Sequence, residues 1–294
     1  MLELHAINRS FGDRRVLRDV SFTVAPGRMT GFVGGNGAGK TTTMRIILGV
    51  LAADAGRVTW NGDPLSAEDR TRFGYMPEER GLYAKMKVAE QIVYLGRLHG
   101  MSPDAAKRST SDLLERLGLG ERADSTIESL SLGNQQRAQI AAALVHNPEV
   151  LVLDEPFSGL DPIAVEVVQG VLTDFAASGA PVLFSSHQLD IVERLCDDLV
   201  VIADGQIRAS GSREGLRTQH SRAQFELHLG GDSGWLREET GVTVIEFDGG
   251  YARFEVDGGD TAQRVLQRAV AAGPVLHFAP QHPTLAQIFK EVIK

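Results

Sequence analysis

Apolar and polar positions alternate along the start of the chain, first at Leu2, Leu4 and Ala6 and then at Val20, Phe22 and Val24. A period of two predicts half-buried strands. Pro26-Gly27 supplies a turn before the apolar run Met29 to Val33, and the three runs read as strands of one sheet. A glycine-rich loop at 34–39 leads into a helical stretch over 41–51, and a short strand around Val58 precedes Asn61-Gly62. That dipeptide signals a tight hairpin, because both residues accept positive φ. From Val88 to Gly118 the period becomes helical, with Ile92, Leu95 and Leu98 on one side, a Ser102-Pro103 helix start, then Leu113, Leu114 and Leu117. This reads as a helical insert. The all-apolar runs Val150 to Leu153 and Val182 to Phe184 alternate with helices, as buried parallel strands do. Leu199 to Ile202 and Gln206 to Ala209 flank Asp204-Gly205 as a closing hairpin.

The polar stretch from Ser212-Arg213-Glu214 to Gln219-His220-Ser221-Arg222 marks a boundary. Beyond it Phe225, Leu227 and Leu229 alternate as a strand, and Val242 to Phe247 and Tyr251 to Val256 flank Asp248-Gly249-Gly250 as a hairpin. Two helices open with capping-box patterns, Asp260 with Gln263 and Thr284 with Gln287. The last helix puts Leu285, Ile288, Phe289 and Val292 on one face, which is expected to pack on the small sheet. The expected organisation is an α/β domain at 1–215 with an antiparallel β subdomain and a helical insert at about 85–140, followed by a small C-terminal α+β domain at 220–294. There is no internal repeat and no low-complexity segment.

Composition narrows the class. With 43% apolar and 23% charged residues, the 294-residue chain is of ordinary globular type. Cys196 is the sole cysteine, so no internal disulfide forms and a reducing compartment is expected. Met1-Leu2-Glu3-Leu4-His5 has neither the basic start nor the apolar run of a secretory signal. The longest apolar runs fall far short of the roughly 20 residues that cross a bilayer. Any membrane contact is therefore peripheral. A formal net charge of -8 repels phosphate backbones and makes nucleic acid a poor partner.

Two segments carry chemistry. Gly34-Gly35-Asn36-Gly37-Ala38-Gly39-Lys40-Thr41 lies between a predicted strand and a predicted helix. Glycines let backbone N–H groups wrap a triphosphate, Lys40 brings a cation to the β- and γ-phosphates, and the Thr41 hydroxyl can ligate Mg²⁺. The bland reading is a flexible loop with an incidental lysine, and the strand-loop-helix context weighs against it. Leu151-Val152-Leu153-Asp154-Glu155-Pro156 is a buried strand ending in two acids. Asp154 can hold Mg²⁺ and Glu155 can polarise the attacking water; alone, the pair could equally be two solvated carboxylates on a turn.

Leu130-Ser131-Leu132-Gly133-Asn134-Gln135-Gln136-Arg137, upstream of Asp154, resembles the ABC signature motif. Ser158-Gly159-Leu160-Asp161 resembles the D-loop of that family, and Ser185-Ser186-His187 its switch histidine. Five motifs stand in the order of the family across roughly the first 210 residues. The resemblance implies a P-loop ATPase in which Gly34, Asn36, Gly37, Ala38, Gly39, Lys40, Thr41 and Thr42 hold ATP. By the same resemblance Thr41 and Asp154 hold Mg²⁺, Glu155 and His187 act with Lys40 in hydrolysis, and Asp161 lies against nucleotide. Ser131 can cap a helix from about Gly133 and leave free N–H groups aimed at an anion; in the family that anion is the γ-phosphate held by the other subunit of a head-to-tail dimer, homodimeric or pseudo-symmetric. The bland alternatives are an ordinary helix cap at Ser131 and a packed or surface histidine at 187. Phe11 sits where the family stacks an aromatic ring on adenine, with core packing as the rival reading.

The chain also departs from the family. Glu78, in Gly74-Tyr75-Met76-Pro77-Glu78, stands where a glutamine is usual, Leu132 where the signature has glycine, and Asn134 where it has glutamine. A carboxylate at 78 can still help hold Mg²⁺ or the attacking water, at the cost of added negative charge. Met76-Pro77-Glu78-Glu79-Arg80-Gly81-Leu82-Tyr83, the variant signature and Pro283-Thr284-Leu285-Ala286-Gln287-Ile288-Phe289 resemble a bacterial subgroup that powers export and carries a small C-terminal domain. The expected function is thus the ATP-hydrolysing, cytoplasmic subunit of a transporter, bound peripherally to the inner face of the membrane through a separate permease at the groove near 78–87. Two other readings stand beside it. One is a soluble ABC ATPase of translation or DNA repair, which the lack of a second ATPase domain, sustained heptads and zinc-binding cysteine pairs disfavours. The other is a nucleotide-gated regulator with little turnover.

Overall fold

The computed structural model describes residues 1–79, 81–220, 223–281 and 284–292. Arg80, Ser221, Arg222 and Pro283, which belong to segments singled out above, lie outside the described residues, as does the side chain of Leu285. The chain divides into two compact units, one spanning Met1–Arg213 and the other Glu214–Val292.

In chain order the first unit contains β1 (Leu2–Phe11), β2 (Arg14–Val24), β3 (Met29–Val33), α1 (Lys40–Ile47), β4 (Ala55–Trp60), β5 (Asp63–Pro64), α2 (Ala67–Arg70) and β6 (Phe73–Met76). The helices α3 (Val88–Leu98), α4 (Pro103–Arg116) and α5 (Leu132–Leu144) follow. The unit closes with β7 (Val150–Leu153), α6 (Pro162–Ala177), β8 (Val182–Ser186), α7 (Leu189–Leu195), β9 (Asp198–Ala203) and β10 (Gln206–Ser212).

The expectation of one sheet for the first three runs is corrected. Strands β1 and β2 belong to an antiparallel sheet of order β2-β1-β4-β5, whereas β3 sits inside a six-stranded sheet of order β10-β9-β3-β8-β7-β6. The five strands from β9 to β6 run parallel, and β10 is added antiparallel through the Asp204-Gly205 turn. Ala6 also breaks the expected alternation: it takes a φ of 47° at a bulge, points to solvent, and leaves Ile7 to enter the core. An irregular step of this kind flips the faces of a strand. Asn61 and Gly62 both have positive φ, as a two-residue hairpin turn requires.

The first helix is shorter than expected, because Gly49 at φ 72° ends it after the Leu48 cap. In α3 the packed face carries Val88, Gln91, Ile92 and Gly96, while Leu98 is 64% exposed in the last turn and does not belong to it. Ser102 caps α4 with Pro103 at its first position, as the sequence signals. Among the described residues no helix is long and apolar enough to cross a membrane.

His99, capping α3, and His146, just past α5, stack with ring centroids 3.7 Å apart and hold the insert to the edge of β6. His99 Nδ1 lies 3.0 Å from the Thr71 carbonyl, and His146 Nε2 lies 3.2 Å from that of Phe73. Burial, with His99 as the second cause, pushes the His146 pKa down to about 4 from 6.5. The folded state therefore resists a proton that the unfolded chain accepts, so the contribution of His146 is complete above pH 6.5 and declines as pH falls from there towards 4. The loss reaches at most about 3 kcal/mol, discounted towards 1 kcal/mol because the ring is partly open to solvent. Urea midpoints at pH 7 and pH 5 check this: His146→Gln is expected to lose part of the pH dependence that the parent shows.

The second unit begins within α8 (Arg213–His220), so the polar stretch read as a boundary is helical over most of its length. It continues with β11 (Gln224–Leu229), β12 (Val242–Asp248), β13 (Tyr251–Val256), α9 (Gly259–Ala272), β14 (Val275–Gln281) and α10 (Leu285–Val292). Its antiparallel sheet has the order β12-β13-β11-β14, and Val265 and Ala269 of α9 pack with Phe254 and Leu227 in its core. The expected cap at Asp260 is corrected: Gly258 is the cap residue, without a side-chain bond, and Asp260 lies within the first turn. The Thr284-Gln287 capping box is present, with reciprocal bonds of 2.8 and 3.3 Å. Strand β14 was not anticipated, since Pro274 and Pro280 at either end mask its β pattern.

Candidate functional site

The order of the central sheet places the C-terminal ends of β3, β8, β7 and β6 side by side. Each end feeds a segment singled out above: the glycine-rich loop, Ser185-Ser186-His187, Asp154-Glu155 and Glu78. The carboxyl ends of parallel strands are where such sheets bind ligands.

The loop ends at Gly39, whose φ of 111° and position 2.5 Å from Leu17 Cδ2, measured from an ideal Cβ, admit no side chain. Helix α1 starts at Lys40, whose buried Nζ donates to the Gly34 carbonyl at 2.7 Å and contacts that of Gly35 at 3.4 Å. The ammonium is thus folded back over the loop. A cavity of about 410 Å³ is lined by Gly35, Asn36, Gly37, Gly39, Lys40, Thr41 and Thr42 together with Glu78, Asp154 and Glu155. Gly34 and Ala38 do not line it; Ala38 is buried with its N–H bonded to the Gly35 carbonyl at 3.1 Å.

Asp154 is 1% exposed. Its Oδ1 accepts from Ser185 Oγ at 2.5 Å, while buried Oδ2 has no hydrogen-bond partner among the described residues. An ionised, buried oxygen without a donor is costly unless a cation covers it, so the residues fit a divalent ion here. The charge of Asp154 reaches Tyr75, whose phenol is pushed above its ordinary pKa by burial first and by Asp154 next.

Glu155 takes a φ of 53°, unusual for glutamate, and is held there from several sides. Its N–H donates to Ser185 Oγ at 2.8 Å, its carbonyl accepts from Gln136 Nε2 at 2.9 Å, and its Oε2 lies 2.9 Å from His187 Nδ1. One hydroxyl, that of Ser185, therefore fixes both acids. His187 does not line the cavity and reaches it through Glu155.

Ser131, Gly133, Asp161 and Phe11 lie outside the cavity lining. Ser131 caps α5, which begins one residue before the expected Gly133, and accepts from the Asn134 N–H at 3.3 Å. Asn134 Oδ1 in turn accepts from Arg137 Nη2. Leu132, in the first turn, is 57% exposed. Asp161 caps α6 through a 2.8 Å bond from the Ala164 N–H. Phe11 is 49% exposed beneath the Arg9 guanidinium, so core packing does not account for it.

Four residues escaped the sequence. Arg14 and Val16 of β2 line the cavity, and an ideal Cβ on Gly37 would lie 4.0 Å from Arg14 Nη2. No spacing signal marks either. Ser185 and Gln136 lay within recognised motifs, yet only the fold shows that they bond the two acids.

The sequence matches the ABC transporter family over residues 17–158 and the C-terminal domain of DrrA1-3-like ATP-binding proteins over 211–293. An uncharacterized ABC transporter ATP-binding protein, YhaQ of Bacillus subtilis (strain 168), is 35% identical over 100% of this chain and 98% of its own length. The Nod factor export ATP-binding protein I of Rhizobium sp. (strain N33) is 37% identical over 79% of this chain and 77% of its own length. Among solved structures, an ATP-binding subunit of an ABC transporter superposes with a TM-score of 0.69 at 32% identity, covering 74% of this chain and 92% of that one.

Proposed function

The chain belongs to the ABC transporter ATP-binding proteins, and from that premise we propose that its ATPase cycle drives export through a separate membrane permease. ATP binding and hydrolysis follow from the family. The observation that carries the site assignment is one cavity lined by both Lys40 and the acids Asp154 and Glu155, with one buried oxygen of Asp154 lacking a hydrogen-bond partner among the described residues.

In this reading the loop N–H groups, Lys40, Thr41 and Thr42 bind the phosphates, and Phe11, half-exposed beneath the Arg9 guanidinium, stacks on adenine. Asp154 and Thr41 would hold Mg²⁺, with Glu78 lining the same cavity, and the ion would supply positive charge against the phosphates there. Glu155 takes the proton of the attacking water, and His187 orients that carboxylate through the 2.9 Å contact. Two copies meet head to tail, so that Ser131, Gly133 and Asp161 of one close over the nucleotide of the other.

Export rests on the likeness to the Nod factor export protein. We assign the permease contact to the groove near 78–87, where Tyr83 is largely exposed. A place on the inner face of the membrane follows from that partner, and residues 220–294 form an accessory domain in this scheme.

Metal removal tests the site. Turnover of ATP by the purified chain is expected to fall at least about 100-fold in EDTA and to return with Mg²⁺. Metal-independent turnover contradicts the assignment of Asp154, and negligible turnover with Mg²⁺ favours a nucleotide-gated regulator.

A further inference from the structure

We infer that Gln136 is a positioning residue that ties the helix carrying the signature motif to the backbone of Glu155, so that contact with the second nucleotide sets the geometry of the first. The inference rests on the head-to-tail reading above. It adds a link inside one chain between the surface that touches the ATP of the partner and the base that activates the water attacking its own ATP.

Gln136 lies one helical turn after the Ser131 cap, roughly 6 Å along α5 from Leu132. Its side chain is buried, and Nε2 donates to the Glu155 carbonyl at 2.9 Å. The clamp on the Glu155 peptide is two-sided. Ser185 holds the N–H from β8, within the rigid sheet, whereas Gln136 holds the carbonyl from the helical insert.

Glu155 at φ 53° occupies a conformation that costs about 1–2 kcal/mol and persists only when its surroundings impose it. A small displacement of α5 therefore acts on a residue already held against its preference. Gln139, three positions on and on the same helix face, donates to the Glu79 carbonyl at 3.2 Å. Thus α5 grips the segments that follow β7 and β6 together. Anion contact at the start of α5 shifts the helix as a body, and Gln136 passes that shift to the carboxylate.

A purely structural role is the rival, in which Gln136 only satisfies a buried carbonyl. That carbonyl also accepts from the Ser158 N–H at 3.1 Å, so Gln136→Met removes one bond without orphaning the oxygen. The two roles differ in a double-mutant cycle on the full-length chain, comparing Gln136→Met, Ser131→Ala and the pair.

Gln136→Met is expected to bind ATP within about 3-fold of the parent while kcat falls roughly 10- to 100-fold. The pair is expected to match the slower single variant within about 3-fold, because both changes cut one chain of contacts. Gln136→Glu, nearly isosteric but unable to donate when ionised, serves as a second variant and is expected to behave alike. Effects of 131 and 136 that multiply, or a Gln136→Met kcat equal to the parent, overturn the inference alone. A Ser131→Ala chain with parental turnover overturns the head-to-tail reading and the inference with it.

Discussion

Replacing Glu155 with Gln is expected to lower kcat by about 10²–10⁴-fold, the usual worth of a general base, while ATP still binds within about 3-fold of the parent. The substitution keeps volume and backbone demands, so the left-handed φ and the bonds from Ser185 and Gln136 persist. Only the ability to take a proton is removed. Without hydrolysis the nucleotide stays in place, and two chains remain closed around it. Single-turnover kinetics and light scattering with Mg-ATP check both halves of this result. Parental turnover would mean that the proton goes elsewhere, with His187, 2.9 Å from the same carboxylate, the next candidate.

Lys40→Ala is expected to be at least as severe. The ammonium is buried and, among the described residues, bonds loop carbonyls at 2.7 and 3.4 Å, contacts that a triphosphate replaces with full charge pairing. Removing one such donor from a developing negative charge costs about 10²–10³-fold in turnover, and ATP affinity is expected to fall roughly 10-fold or more because each charged bond is worth about 1.5–3 kcal/mol. The fold should hold, since Met44 and Ile47 anchor α1 in the core. Isothermal titration with ATP and a thermal melt separate the two effects. A variant that binds ATP like the parent leaves Lys40 without its assigned part.

The sequence displayed the residues that line the cavity more plainly than the architecture. The positions of Lys40, Asp154 and Glu155 around it were legible because each stands at a local transition, from strand to loop or loop to helix, which a short motif records. The parallel strands β7 and β8 were legible as continuous apolar runs. Sheet membership was not: β1, β2 and β3 look alike in period, and only long-range pairing sends two of them to one sheet and the third to another. Ala6 and Leu98 mark the same limit, since a bulge or a helix end changes which side is buried while the periodicity continues.

The bonds of Ser185 and Gln136 were hidden for a related reason. Ser185 is 31 residues from Asp154 and Gln136 is 19 residues from Glu155, and they meet only because β7, β8 and α5 are packed together. The exposure of Phe11, by contrast, required only its own strand to end, and it removes core packing as an explanation.

The transporter reading is tested most directly by the partner the chain holds in its own membrane. Tagged Glu155→Gln chain, expressed in its host and recovered with Mg-ATP from gently solubilised membranes, is expected to bring down a polytopic membrane protein in stoichiometric amount, identified by mass spectrometry. Recovery of soluble partners alone, such as ribosomes or repair proteins, contradicts the account.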